Sequence, residues 1–253
     1  SIWNANALTN KLNEIEFFMK TKHIDIFLIS ETHLTSRSYV KISGYDFVYT
    51  NHPDNKAHAG AGLFIRSTIR YELSEEFQQN YIQAAGVKLI CNNRPINIYS
   101  IYFPPRYSVK CEEYVSFFKE LGPHFIVGGD YNAKHPWWGS RLTNPKGRSL
   151  YKCISQKNYN TLSGGRPTYW LTDPAKIPDL LDFIVYNGIA RYSLDILNDD
   201  SLSSDHTPNL VNYNVNVEKT PKMVKLIKHN TNLTVFNDLI DSYLNLNMEI
   251  KTG

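Results

Sequence analysis

With 253 residues, 42% hydrophobic and 20% charged, and a net charge of +3, the chain can bury a sizeable core and lies outside the composition of disordered acidic or basic segments. No apolar run approaches the ~18–20 residues that span a bilayer, and the N-terminus SIWNANALTNKLNE lacks the charged-then-apolar plan of a signal peptide, so the sequence reads as soluble, with no membrane partner. Three widely spaced cysteines, Cys91, Cys111 and Cys153, make neither a disulfide framework nor a paired zinc pattern, which favours a reducing compartment.

Ser1, with an apolar residue directly after it, is read as the start of a piece excised from a longer protein. Ile2 and Trp3 open a strand. Leu8, Leu12, Ile15, Phe18 and Met19 recur at helical spacing, and 24–29 is a short apolar strand. Further strands are predicted at 45–49, 62–65, 81–90 and 96–102, the last two joined by a turn at 91–94. A helix over 111–121 stops at Gly122 and Pro123, and 125–127 is a buried strand running into Gly128, Gly129 and Asp130. A helix at 148–156 and strands at 180–186 and 210–217 follow. Strands outnumber helices more than two to one, which favours sheet packed on sheet with helices outside over a regular alternating βαβ design. From 218 the character changes: Lys219, Lys222, Lys225 and Lys228 recur every third residue, and after Asn232 a helical pattern begins. Residues 1–217 are therefore expected to form the main domain, and 218–253 a linker and helix outside it.

Four segments place polar residues at the ends of apolar strands: Asn4 with Asn6, Glu31, Asp130 with Asn132, and Asp205 with His206. Carboxylates just past buried strands sit where a sheet edge opens to a cleft, and hard cations such as Mg2+ take oxygen ligands of this kind. His206, between small residues, is the side chain suited to acid or base work near neutral pH. Each segment also has a plain structural reading: Asn4 and Asn6 as caps, Glu31 as half of an ion pair, Asp130 as part of a tight turn after two glycines. Acidic residues are absent from 131–172, while Lys134, Arg141, Lys146, Arg148, Lys152, Lys157 and Arg166 give that stretch a charge of +7, the pattern of either a solvated face or a nucleic-acid surface.

The order of these segments resembles the exonuclease III and deoxyribonuclease I superfamily of metal-dependent phosphodiesterases, and more narrowly the jockey-type endonuclease domain of non-LTR retrotransposons. The narrow resemblance rests on GDYNAKHPWWG at 129–139, PTYW at 167–170 and IPDLLDF at 177–183, and covers roughly 2–217. It implies an α/β fold, a four-layer sandwich of two mostly antiparallel sheets flanked by helices. It further implies a Mg2+-dependent endonuclease (Mn2+ as substitute, no small-molecule cofactor) that nicks one strand of double-stranded DNA in the nucleus. The resulting 3′-hydroxyl primes reverse transcription by a linked reverse transcriptase domain.

Residue by residue, the resemblance makes Glu31, Asn4 and Asp205 the metal site. Asp130 and Asn132 match the pair acting on the attacking water, Tyr102 a contact to the scissile phosphate, and Asp182 the carboxylate orienting His206. Thr168 and Tyr169 match DNA contacts, joined by the basic Lys134, Arg141, Arg148 and Arg166. Two other readings stand beside this one: an abasic-site repair endonuclease or other phosphodiesterase of the superfamily, and a catalytically silent DNA-binding module. The family often carries Gly where this chain has Ala7, and a DNA-probing hairpin where this chain has 187–203. Trp137 and Trp138, being adjacent, point in different directions, so at least one of them packs. Setting Glu31, Asp130, Asp182 and Asp205 aside as site residues leaves 1–217 with a charge of +6.

Overall fold

A computed structural model describes residues 1–173 and 175–220. Two sheets face one another. The first runs in the order β12 (Leu194–Asn198), β13 (Asn209–Tyr213), β1 (Ile2–Asn4), β2 (Ile26–Ser30), β4 (Ala61–Arg66), β3 (Tyr45–Thr50). The second runs β10 (Asn160–Leu162), β11 (Asp182–Asn187), β9 (Phe125–Asp130), β8 (Arg94–Tyr102), β7 (Ile82–Cys91), β5 (Tyr71–Leu73), with β6 (Phe77–Gln79) also paired to β7. Helix α1 (Leu12–Thr21) covers the first sheet, and α2 (Cys111–Glu120) and α3 (Pro145–Lys157) cover the second.

The period-two alternation of each strand decides which interface a side chain joins. Ile2, Leu28, Leu63 and Ile65 point between the sheets, where they meet Val87, Ile98, Ile126 and Ile184. Their neighbours Trp3, Phe27, Ile29 and Phe64 point the other way, onto Phe18 and Met19 of α1. On the second sheet Ile101, Phe125, Val127 and Phe183 face outward, under Tyr114 and Phe118 of α2 and Leu150 and Ile154 of α3. Three apolar interfaces among four layers thus account for the continuous apolar runs in the central strands, which are buried on both faces.

The short strands β5, β6, β10 and β12 go beyond the sequence expectation. Each pairs at an edge, where a few residues with little alternation suffice. Strand β12 forms within 187–203, pairing Leu194 with Tyr213, and so extends the first sheet. The strand expected over 210–217 ends at Tyr213, with Val217 making only an isolated bridge to Cys91. Helix α3 begins at Pro145, three residues before the expected start, because the Asn144 side chain accepts from the Gly147 N–H and Pro145 takes the first helical position. The backbones of Glu218 and Thr220 still donate to Ile90 and Thr68. The helix expected after Asn232 lies outside the described residues. Among the described residues, no helix is long and apolar enough to cross a membrane, and the three cysteines are buried and unpaired.

Each sheet contains one parallel pair: β1 with β2 in the first, β8 with β9 in the second. Parallel neighbours deliver their C-terminal ends to the same edge. Asn4 is in register with Ser30, one residue before Glu31, and Tyr102 is in register with Asp130. Strand β11 runs antiparallel to β9 and begins there, so Asp182 pairs with Asp130.

Candidate active site

Where those strand ends meet, the sheets are tied together by polar bonds. The Ser100 hydroxyl donates to Ile29 O (2.9 Å), the Ser30 hydroxyl donates to Ile101 O (2.6 Å), and Asp130 N–H donates to the Ser30 hydroxyl (3.0 Å). Such close approach explains the two glycines before Asp130. They lie inside β9, and a Cβ on Gly129 would sit 2.2 Å from Ile101 O, while one on Gly128 would sit 2.6 Å from the Ile2 side chain. The tight-turn reading of these glycines is therefore replaced by a steric one.

Asn4, fully buried, is the hub. Its amide nitrogen donates to Glu31 Oε1 and to Asp130 Oδ2, both at 2.9 Å, and lies 3.4 Å from His206 Nε2. Its oxygen accepts the Asn6 N–H at 2.9 Å. Asn4 thus positions two carboxylates through its nitrogen, while its oxygen accepts from the backbone. His206 Nδ1 lies 2.7 Å from Asp182 Oδ2, and Nε2 faces Asp130 Oδ2 at 3.9 Å. Trp3 Nε1 donates to the carbonyl of His206, and the Tyr169 ring packs against its imidazole at 4.8 Å. Asn132 donates to Asp130 twice, from its backbone N–H (2.8 Å) and its side chain (3.1 Å). Asp205 accepts from the Asn6 side chain and the Ser204 hydroxyl.

The electrostatics follow from gathering four carboxylates, two of them buried, around one imidazole. Burial and then the charge of Asp182 push the Asp130 carboxyl up, against His206, with Glu31 adding to the rise. Burial pushes the His206 imidazolium down, but Asp182, by charge and hydrogen bond, with Asp130 and Asp205, outweighs it and holds the group up at about 9. Glu31 is pushed up by burial, yet bonds from His33, Asn4 and Tyr102 bring it net below its ordinary value, so it stays ionised. Burial and the charges of Glu31 and Asp130 push Tyr102 far up, which leaves a neutral hydroxyl donor.

Glu31, Tyr102, Asp130, Asn132, Tyr169, Asp205 and His206 line one cleft of about 740 Å³. Lys134 also lines it, paired with Asp179 at 3.1 Å. Arg141, Arg148 and Arg166 are exposed but do not line the cleft. Thr168 is fully buried, and its hydroxyl accepts the N–H groups of Leu181 and Asp182 at 3.0 Å. Its side chain therefore fixes the start of β11 and does not line the cleft. Trp138 is buried in the core while Trp137 is 60% exposed, as adjacent side chains pointing apart require.

Three neighbours escaped the sequence reading. His33 Nε2 lies 3.2 Å from Glu31 Oε2, and Glu-x-His was the available signal. Asn144 donates to Asn132 O and accepts from Lys134 N–H. Lys146, counted among the surface cations, is buried: its ammonium donates to the carbonyls of Phe103 and Pro104, and burial lowers it to about 8.

Backbone strain gathers here. Asn6, Ala7, Glu31, His33 and Asn132 all have positive φ. Ala7, at φ +80°, occupies a conformation that favours glycine, the residue that the family resemblance leads one to expect there. Ala7→Gly should therefore raise the unfolding free energy by about 0.5–1 kcal/mol, measured by urea denaturation.

The donors fit a divalent cation: Glu31 offers an ionised carboxylate on an open cleft, and Asp130, Asp182 and His206 bring possible ligand atoms within 4.8 Å of one another.

A family model described as Endonuclease/Exonuclease/phosphatase matches residues 2–206. Over 249 residues the chain is 32% identical to the RNA-directed DNA polymerase from mobile element jockey of Drosophila melanogaster, a match covering 98% of this chain and 27% of that protein. The corresponding protein of Drosophila funebris is 30% identical, with 99% and 27% covered. The chain thus spans 27% of the length of these relatives. Among solved structures, the endonuclease domain of TRAS1, a telomere-specific non-LTR retrotransposon, superposes with a TM-score of 0.66 at 22% identity, covering 84% of this chain and 96% of that one. The AP endonuclease LMAP from Leishmania major superposes with a TM-score of 0.69 at 14% identity, covering 84% and 86%. At these identities the two structures share the fold with this chain.

Proposed function

The chain belongs to the endonuclease/exonuclease/phosphatase family, and from that premise we propose that it is a Mg2+-dependent endonuclease nicking one strand of double-stranded DNA. The resulting 3′-hydroxyl primes synthesis by a reverse transcriptase domain of the same polypeptide. The observation that carries the catalytic part is the run Asp182, His206, Asp130, Asn4 and Glu31, linked through contacts of 2.7 to 3.9 Å and opening on one cleft. The polymerase relatives, of which this chain matches a part, support the priming role. On this reading 1–217 is the endonuclease domain, 218–253 leads toward the polymerase, and the site of action is the nucleus.

Hydrolysing a phosphodiester brings water against an anion, so charge must be offset, the water aligned and the phosphoryl oxygens stabilised. Glu31, Asn4 and Asp205 would hold the Mg2+ or a substituting Mn2+, which would supply charge neutralisation at the phosphate, and Asn4 also braces Glu31. Asp130, oriented by Asn132, takes the proton of the water as its oxygen bonds to phosphorus and the P–O3′ bond breaks, the departing 3′-oxygen taking a proton from solvent in the cleft. His206, kept as imidazolium by Asp182, donates to the phosphoryl oxygens, and Tyr102 donates a neutral hydroxyl to the same group. Tyr169 lines the DNA path with Lys134, while Arg141, Arg148 and Arg166 meet backbone phosphates farther out.

Incubation with supercoiled plasmid should give open circles in Mg2+ and none in EDTA, with affinity for duplex falling as salt rises. Strong preference for an abasic oligonucleotide over intact plasmid would overturn the assignment in favour of a repair enzyme. Absence of metal-dependent nicking would leave only a DNA-binding module.

A further inference from the structure

Loop 51–60, which joins β3 to β4, carries the sequence His-Pro-Asp-Asn-Lys-Ala-His at 52–58. His52 Nδ1 lies 2.9 Å from Asp54 Oδ1, and His58 Nε2 lies 2.9 Å from Asp54 Oδ2. The two imidazoles pack with centroids 4.3 Å apart, and one ligand atom from each of the three residues falls within a 4.8 Å cluster. We propose that His52, Asp54 and His58 form a second metal site, for a single transition-metal ion of the zinc class.

The donor set selects the ion. Two imidazole nitrogens and one carboxylate suit zinc and its neighbours, whereas Mg2+ prefers oxygen. At bond lengths of ~2.0–2.1 Å, tetrahedral ligands sit roughly 3.3 Å from one another. The observed separations of 2.9 Å to within 4.8 Å bracket that distance, so binding needs side-chain adjustment and no refolding of the loop. Backbone already orients the carboxylate, since Lys56 N–H donates to Asp54 Oδ1 at 3.0 Å. The His52 side chain is 6% exposed while Asp54 and His58 are 38% and 47% exposed, so one ligand is anchored in the fold and the ion has an entry path and a position for water. The end of the loop also bears on the cleft: Ala59 O accepts His33 N–H at 2.9 Å and Gly60 O accepts Thr32 N–H at 3.4 Å. An ion closing 52–58 therefore stiffens the strap behind Glu31.

The test is titration of the 253-residue chain with Zn2+ against a chromophoric chelator, in excess Mg2+, for the unmodified protein and for Asp54→Asn, His58→Gln and His206→Ala. Asp54 and His58 are exposed, so their replacements should fold, whereas replacing His52 would disturb the interior. One Zn2+ per chain is expected in the unmodified protein and in His206→Ala, with at least 10-fold weaker binding in Asp54→Asn and His58→Gln. Saturating Zn2+ should raise the melting temperature by about 5–10 °C in the unmodified chain and not in Asp54→Asn. Binding unchanged in Asp54→Asn and His58→Gln, binding lost only in His206→Ala, or no binding at all would each overturn the proposal.

Discussion

His206→Ala should slow plasmid nicking about 10³–10⁴-fold while leaving duplex affinity nearly unchanged. Loss of a positioned proton donor accounts for roughly 10²–10⁴-fold, and loss of a charged donor to a developing oxyanion has a similar scale. The side chain is buried between Asp182 and Asp130, so removing it leaves two carboxylates facing one another without the cation that separates them. Asp182→Asn should cost about 10²–10³-fold, because Nδ1 keeps a partner but the charge that favours imidazolium is gone. Since the two act as one unit, the double replacement should cost little more than His206→Ala alone. The pH profile separates the roles. With the folded-state value held up at about 9, imidazolium is present through neutral pH, and activity should fall as pH rises through that value. That falling limb should disappear in His206→Ala. A rate that instead rises as His206 loses its proton would make His206 the base and Asp130 the acid.

How much of this site could be read in the sequence depended on whether a residue's role was local. Glu31, Asp130 and Asn132 end or follow an apolar run, and Asp205 with His206 lie just before one, signals visible in a few neighbouring residues. Asp182, inside the strand expected over 180–186, was indicated by the family resemblance alone, and its register with Asp130 brings it to the same strand edge. What stayed hidden was long-range. Gly128 and Gly129 looked like a turn because their constraint comes from Ile2 and Ile101 in other strands. Lys146 counted as a surface charge because the carbonyls that receive it lie 42 and 43 residues away. The anchoring role of Thr168 was hidden because the N–H groups it accepts belong to Leu181 and Asp182. The edge strands β5, β6, β10 and β12 are three to five residues long, too short for a period to declare itself.

Glu31→Gln tests the metal half of the site and should lower nicking at least 100-fold at millimolar Mg2+. The amide keeps the shape of the side chain and can still meet Asn4 and His33, so the loss reports charge and not collapse. Because its bonds from His33, Asn4 and Tyr102 outweigh burial and hold the Glu31 carboxyl below its ordinary range, Glu31 is an anion in the free protein and the natural first ligand for a cation. Its replacement should therefore shift the Mg2+ concentration needed for half-maximal nicking upward by 10-fold or more, with partial recovery in high Mg2+ or in Mn2+. Ala in place of Gln also removes the bonds to Asn4 and His33 and should not be recovered by metal. The decisive comparison is the metal titration. If Glu31→Gln loses activity with no change in metal dependence, Glu31 shapes the cleft without holding the ion, and the ligands move to Asp130, Asp182 and His206, whose donor atoms already lie within 4.8 Å of one another.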